Sequence, residues 1–200
     1  MGSLLSYSGL STKVRAMQSK LIKEAQYQEI AQMHSVTAIV SYLKKQPGFQ
    51  DLWADLDENS LHRGDVEKLL IHTIYQNFAK LYRFANPEQR TFMALYFKRY
   101  ELEIMKECLR KVFDQGHAEL DLSLFKDFFD RHSKLNIEKL ATSSTVEEFI
   151  SGLEGSEYYK PLKKLGNDYT PRIFDYGMAL DQYYFANIWS VKEKIFKDRK

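Results

Sequence analysis

The chain carries a single cysteine, Cys108, among its 200 residues, so no internal disulfide can form. That inventory suits a reducing compartment. Only four prolines and nine glycines interrupt the sequence, which leaves long stretches without breakers and favours helices over a turn-rich β fold. No apolar run approaches the roughly 20 residues that span a bilayer. The first turns hold Lys13 and Arg15 behind a short Ser/Leu stretch, without the apolar core or cleavage site of a secretory leader. Excess charge is scarce as well: 29 Lys and Arg against 27 Asp and Glu leave +2. A nucleic-acid binder would instead concentrate basic residues on one face. The expectation is a soluble, intracellular protein that binds no nucleic acid.

Chemistry-bearing patterns are also missing. There is no glycine-rich phosphate loop and no Gly-x-Ser-x-Gly. The histidines (His34, His62, His72, His117 and His132) show no metal-ligand spacing and have no nearby cysteine partner. Asp55-Leu56-Asp57-Glu58-Asn59 imitates the start of a calcium loop, but Ser60 stands where the sharp turn needs glycine, and Val66 where the bidentate glutamate belongs. Cys108 has no helix N-terminus to lower its pKa and reads as a packed thiol. Paired acids such as Glu101 with Glu103 and Asp127 with Asp130 read as solvated helix faces. No catalytic residue, metal site or cofactor is expected.

What the chain does have is apolar and aromatic mass, 44% hydrophobic with 13 Tyr and 13 Phe, recurring at helical rather than alternating spacing. Val36, Ile39, Val40 and Leu43 fall at i, i+3, i+4 and i+7; Ser35 precedes them as an N-cap, and Pro47-Gly48 ends the helix. The device returns 110 residues later as Val146, Phe149, Ile150 and Leu153, with Thr145 as cap, Glu148 completing a capping box and Gly155 just past the end. An aromatic and a leucine follow each copy: Phe49 with Leu52, and Tyr159 with Leu162. Each copy then leads into a long helix. One carries the stripe Val66, Leu69, Leu70, Thr73, Ile74, Asn77, Phe78 and Leu81; the other carries Phe174, Met178, Tyr184, Phe185, Ile188 and Val191. Two elements in the same order at nearly the same interval predict a diverged tandem repeat, with units over residues 1–86 and 87–200. Between the copies Pro87 opens the longest helix, closing near Gly116, with an inner stripe of Phe92, Leu95, Tyr96, Arg99, Leu102, Met105, Leu109 and Val112. The predicted class is all-α, an elongated array of long and short helices.

Arg99 and Asp181 are charges on apolar stripes. A charge withdrawn from water needs a partner, so both are expected in structural ion pairs, with each other or with Glu103, or else lining a polar funnel that receives another protein. The C-terminal run Lys192–Lys200 is net basic and suits a helix C-terminus.

Several segments resemble the family of the C subunit of V-type ATP synthases, called the d subunit in the eukaryotic vacuolar enzyme. Tyr7-Ser8-Gly9-Leu10-Ser11-Thr12-Lys13-Val14-Arg15-Ala16-Met17 is similar to the family's opening, and Lys20-Leu21-Ile22 to the aliphatic pair that follows. The capped helix Ser35–Leu43 with Phe49 resembles its repeated unit. Tyr100-Glu101-Leu102-Glu103-Ile104-Met105-Lys106 with Leu109-Arg110 resembles its second-unit helix, although Glu103 departs from the asparagine often found there. Ala179-Leu180-Asp181-Gln182-Tyr183-Tyr184 is similar to its Leu-Asp-x-x-Tyr signature. The resemblance implies a funnel of three similar helical units, of which this chain holds two. It implies a non-catalytic socket on the cytoplasmic face of a membrane rotor ring, peripheral to the membrane and free of transmembrane segments. Such a socket receives the central-shaft subunits of D and F type and passes torque for proton or sodium transport. The loops Gln46-Pro47-Gly48 and Glu154-Gly155-Ser156, exposed and paired by the repeat, are the expected partner contacts. The rival expectation is a generic helical scaffold that binds a partner helix or peptide along an open groove.

Overall fold

The structure, a computed structural model, describes residues 2–53, 56–114, 120–166 and 170–197. All regular elements among the described residues are helical, and the fold is all-α as expected. Asp55, Gly116, His117 and residues 198–200 lie outside the described residues, as do the side chains of 2–6 and 192–197. No helix among the described residues is long and apolar enough to cross a membrane. The chain divides into two compact units, Met1–Pro87 and Glu88–Lys200.

The first unit contains α1 (Gly2–Gln18), α2 (Glu24–Ala31), α3 (Val36–Leu43), a 3-10 turn at Gln50–Trp53 and α4 (Arg63–Phe84). Helix α3 begins where Ser35 leaves extended backbone and its hydroxyl accepts the Ala38 N–H at 3.1 Å, satisfying an amide that the first turn would otherwise orphan. The apolar spacing then buries Val40 and Leu43 against Trp53 and Val66, with Ile22, Ile30, Phe49 and Leu69 packed around them. Each such burial contributes about 1.5–3 kcal/mol. At the start of α4 the Asp65 carboxylate accepts the His62 N–H at 2.9 Å. This helix buries Val66, Tyr75 and Phe78, whereas Ile74, expected on the inner stripe, is 42% exposed. Adjacent residues lie about 100° apart on a helix, so a one-residue choice at the stripe's edge exchanges Ile74 for Tyr75.

The second unit contains α5 (Pro87–Phe113), α6 (Ser123–His132), α7 (Ile137–Thr142), α8 (Val146–Gly152), α9 (Tyr159–Lys163), a 3-10 turn at Lys164–Gly166 and α10 (Ile173–Lys197). Thr145 Oγ1 accepts the Glu148 N–H at 3.1 Å, as the cap predicts. The Glu148 carboxylate accepts the Ser144 N–H at 2.8 Å, one residue upstream of the expected box. Gly155 has φ of +84°, a conformation glycine adopts without a Cβ clash. The inner face of α5 is rotated from the expected stripe. Leu95, Leu102, Met105, Leu109 and Val112 are buried, but so are Phe97, Glu101, Ile104 and Cys108, while Phe92, Tyr96 and Arg99 are exposed. The extra flank is covered from α6, where the Phe128 and Phe129 rings lie 4.8 and 5.6 Å from Phe97. Helix α10 is rotated likewise: Tyr176, Leu180 and Tyr184 are buried, and Phe174, Met178 and Phe185 of the expected stripe are 69%, 41% and 64% exposed.

In both units a capped short helix, a loop, a short helical segment and a long helix follow one another. They begin at Val36, Gln50 and Arg63 in the first unit and at Val146, Tyr159 and Ile173 in the second, at intervals of 110, 109 and 110 residues.

Candidate functional site

Each unit carries a cleft against the loop that follows its capped short helix. In the second unit the wall of the cleft is set by Glu101, which is buried rather than solvated beside Glu103. Its Oε1 accepts the Ser133 hydroxyl at 2.5 Å, and its Oε2 accepts the Tyr158 phenol at 2.6 Å. Burial raises the Glu101 pKa, and these two hydrogen bonds partly oppose the rise. The Tyr158 hydroxyl is pushed up by burial and then by the neighbouring carboxylate. One turn before Glu101, Lys98 pairs with Glu157 and lies 5.8 Å from the centre of the Tyr158 ring. The cleft holds about 740 Å³ between α5, the segment around Ser133, the loop Gly155–Tyr158, α9 and Tyr183 of α10. Lys134, Lys160 and Lys164 stand exposed around it.

The cleft of the first unit, about 260 Å³, lies between α1, the Pro47–Phe49 loop and α4. Lys13, Met17 and Lys20 come from α1 and the turn that ends it, and Thr73, Asn77 and Lys80 from α4. The loop packs against the turn that ends α1 only because residue 48 is glycine: a Cβ there would stand 2.6 Å from the Lys20 carbonyl oxygen.

The six loop residues expected to meet partners divide between these surroundings. Pro47, Gly48, Glu154 and Gly155 are exposed, while Gln46 and Ser156 are half-buried. Gln46 accepts a hydrogen bond from the Gln26 amide at 2.6 Å, Glu154 accepts one from the Tyr159 phenol at 3.1 Å, and Ser156 accepts the Tyr158 N–H at 3.3 Å. Pro47 and Gly48 line the first cleft, and Gly155 and Ser156 the second.

Asp181 pairs with Lys106 of α5 at 2.6 Å, not with Arg99. Arg99 is exposed, and its positive charge acts on the phenols of Tyr100 and Tyr184. The reason is register: along α10, Asp181 falls opposite Lys106, two turns beyond Arg99 on the same face of α5. Lys106, Arg110, Phe174, Met178 and Asp181 line a groove of about 340 Å³ between the two helices. Phe174, Met178, Phe185 and Trp189 fall with Asp181 on one arc of α10 and are all exposed, Trp189 at 61%. Sequence periodicity marked three of these four residues as apolar but assigned them to the core.

The acidic segment after the first 3-10 turn is internally engaged. Asp57 Oδ1 accepts the Asn59 N–H at 3.0 Å, and Glu58 accepts the Ser41 hydroxyl at 2.9 Å and pairs with Lys44. Among the described residues no group of three His, Cys, Asp or Glu is placed to hold a metal ion. Cys108 is fully buried, and its thiol is pushed up to about 12 by that burial and by Glu107.

Residues 10–200 match the model of the family described as ATP synthase (C/AC39) subunit. The C subunit of the A-type ATP synthase of Methanocaldococcus jannaschii is 26% identical over 190 residues, covering 92% of this chain and 46% of that protein. Its counterpart in Methanosarcina mazei is 26% identical over 199 residues, covering 97% and 52%, and that of Archaeoglobus fulgidus 21% identical over 199 residues, covering 98% and 55%. The chain thus spans about half the length of the curated relatives it matches. No solved structure matches it. With nearly its whole length accounted for by one family model, the chain belongs to the ATP synthase (C/AC39) subunit family.

Proposed function

We propose that this chain is a non-catalytic central-stalk component of a V/A-type ATP synthase, a socket that links the central shaft to the membrane rotor ring and carries torque between ATP turnover and ion movement. The observation that carries the reading is the match of residues 10–200 to the family. On this reading the partners are shaft subunits of D and F type and the ring, and the chain is held peripherally at the cytoplasmic face through the ring. The two units are diverged copies, a view supported by three intervals that agree to within one residue.

A torque-bearing socket needs stiff elements and outward docking groups rather than a reaction centre. Stiffness is supported by the 27-residue α5, locked to α6 through packed rings and to α10 through the Lys106–Asp181 pair. Docking groups are supported by the exposed loops around Pro47–Gly48 and Glu154–Gly155 and by Phe174, Met178, Phe185 and Trp189, large apolar side chains left facing solvent on one helix.

The test is retention of the full chain on purified shaft subunits and, separately, on detergent-solubilised rotor ring. Retention by either, weakened in the double variant Pro47→Glu, Ser156→Glu with unchanged helical circular dichroism, is the expected result. Retention by neither, where a full-length relative is held under the same conditions, would overturn the stalk role and favour the generic scaffold.

A further inference from the structure

The two clefts differ in size and sequence, yet they occupy the same place in their units. Each is walled by the leading long helix, the loop after the capped short helix and the trailing long helix. The interval of 110 residues that takes α3 to α8 also takes Pro47 to Glu157, Gly48 to Tyr158 and Thr73 to Tyr183, and all six of these residues line their clefts. Their charge agrees as well. Three lysines face one carboxylate, Asp51, in the first cleft; four lysines face two carboxylates, Glu101 and Glu157, in the second. The carboxylates of the second are already engaged, Glu101 by two hydroxyls and Glu157 by Lys98. Lys20, Lys80, Lys134, Lys160 and Lys164 make no ion pair among the described residues.

Unpaired ammonium groups gathered on a concave wall focus a positive potential that attracts anions, and the lysine stems beside Met17 and Tyr158 supply apolar contact for the carbon part of a ligand. Neither cleft contains an arginine, whose planar fork favours bidentate recognition of phosphate. The concave shape, with carboxylates set in the walls, also disfavours a flat anionic bilayer. We propose that both clefts are equivalent docking sites for an acidic segment of a partner protein, its Asp and Glu side chains entering beside the Pro47–Gly48 loop in one unit and the Glu157–Tyr158 loop in the other. The proposal rests on reading the units as diverged copies, and it adds the chemistry of the partner to the stalk reading.

The probe is a short fluorescein-labelled polyglutamate peptide titrated by anisotropy against the full chain. Binding that weakens with added salt is expected. The pairs Lys20→Gln, Lys80→Gln and Lys160→Gln, Lys164→Gln should each weaken it about fivefold, as for the loss of two exposed ion pairs, and the four changes together should weaken it further. The control pair Lys45→Gln, Lys139→Gln, equal in charge but outside both clefts, should leave the affinity within about twofold of the native chain. No binding by the native chain, an equal loss in the control pair, or the same lysine dependence for phosphatidylserine vesicles without one for the peptide would overturn the proposal. Shaft or ring retention unaffected by the four changes would remove the clefts as docking sites and leave the stalk role standing. Cleft-dependent peptide binding by a chain that shaft and ring both ignore would support the clefts and remove the stalk role.

Discussion

At the scale of single residues, Glu101 and Gly48 carry more of the structure than their types suggest. Burial places the folded pKa of Glu101 above that of the unfolded chain, so within that interval the native state holds a proton that the unfolded state has lost. Its contribution to stability is therefore complete below the ordinary carboxylate value and declines as pH rises through the raised one. Urea unfolding at a series of pH values should show Glu101→Gln gaining on the native chain across that window and levelling off above it; a pH-independent difference would refute the assignment. Glu101→Ala should cost about 1–3 kcal/mol below the ordinary carboxylate range, because the buried Tyr158 phenol loses its acceptor, and less above the raised pKa. Gly48→Ala should cost about 1–3 kcal/mol, since the new methyl meets the Lys20 backbone rather than a side chain that could move aside. Gly177→Ala on α10, with nothing within 4 Å, should gain about 0.5–1 kcal/mol in the same unfolding measurement. Neither the burial of Glu101 nor the crowding at Gly48 was legible locally. The partners of Glu101 lie 32 and 57 residues away, and an acid pair on a helix usually faces water.

At the scale of elements, the short helices were legible and the faces of the long ones were not. A polar cap, apolar residues spaced over one arc and a glycine or proline stop act within a few residues, and α3 and α8 begin with the hydrogen bonds those residues predict. Ser35→Ala and Thr145→Ala should each lower thermal stability by about 1 kcal/mol, and a loss at only one site would mean that the other helix is held by packing alone. Along α5 the apolar residues cover so much of the circumference that several stripes fit equally well. The choice among them was made by Phe128 and Phe129, which bury Phe97 and leave Phe92 and Tyr96 outside. On α10 the row Phe174, Met178 and Phe185 is as regular as a core stripe, and periodicity has no means of telling a core from a docking face.

At the scale of the whole chain, the two tryptophans are unlike reporters, since Trp53 is fully buried in the first unit and Trp189 is exposed in the second. If the α10 row meets shaft or ring, Trp emission should shift to the blue on titration with that partner. The shift should survive Trp53→Phe and vanish in Trp189→Phe; a shift lost only with Trp53 would place the contact elsewhere.

The sequence by itself determined the helical class, the capped short helices and the family, because hydrogen-bonded caps, breaker placement and ordered motifs act over short range. Only the tertiary structure decided which arc of each long helix faces inward, that Asp181 pairs with Lys106, that Glu101 is buried and that a lysine-rimmed cleft stands beside each of the loops that follow α3 and α8. Those outcomes depend on side chains brought together across tens of residues, and a helical period constrains the spacing along one element without saying what will pack against it.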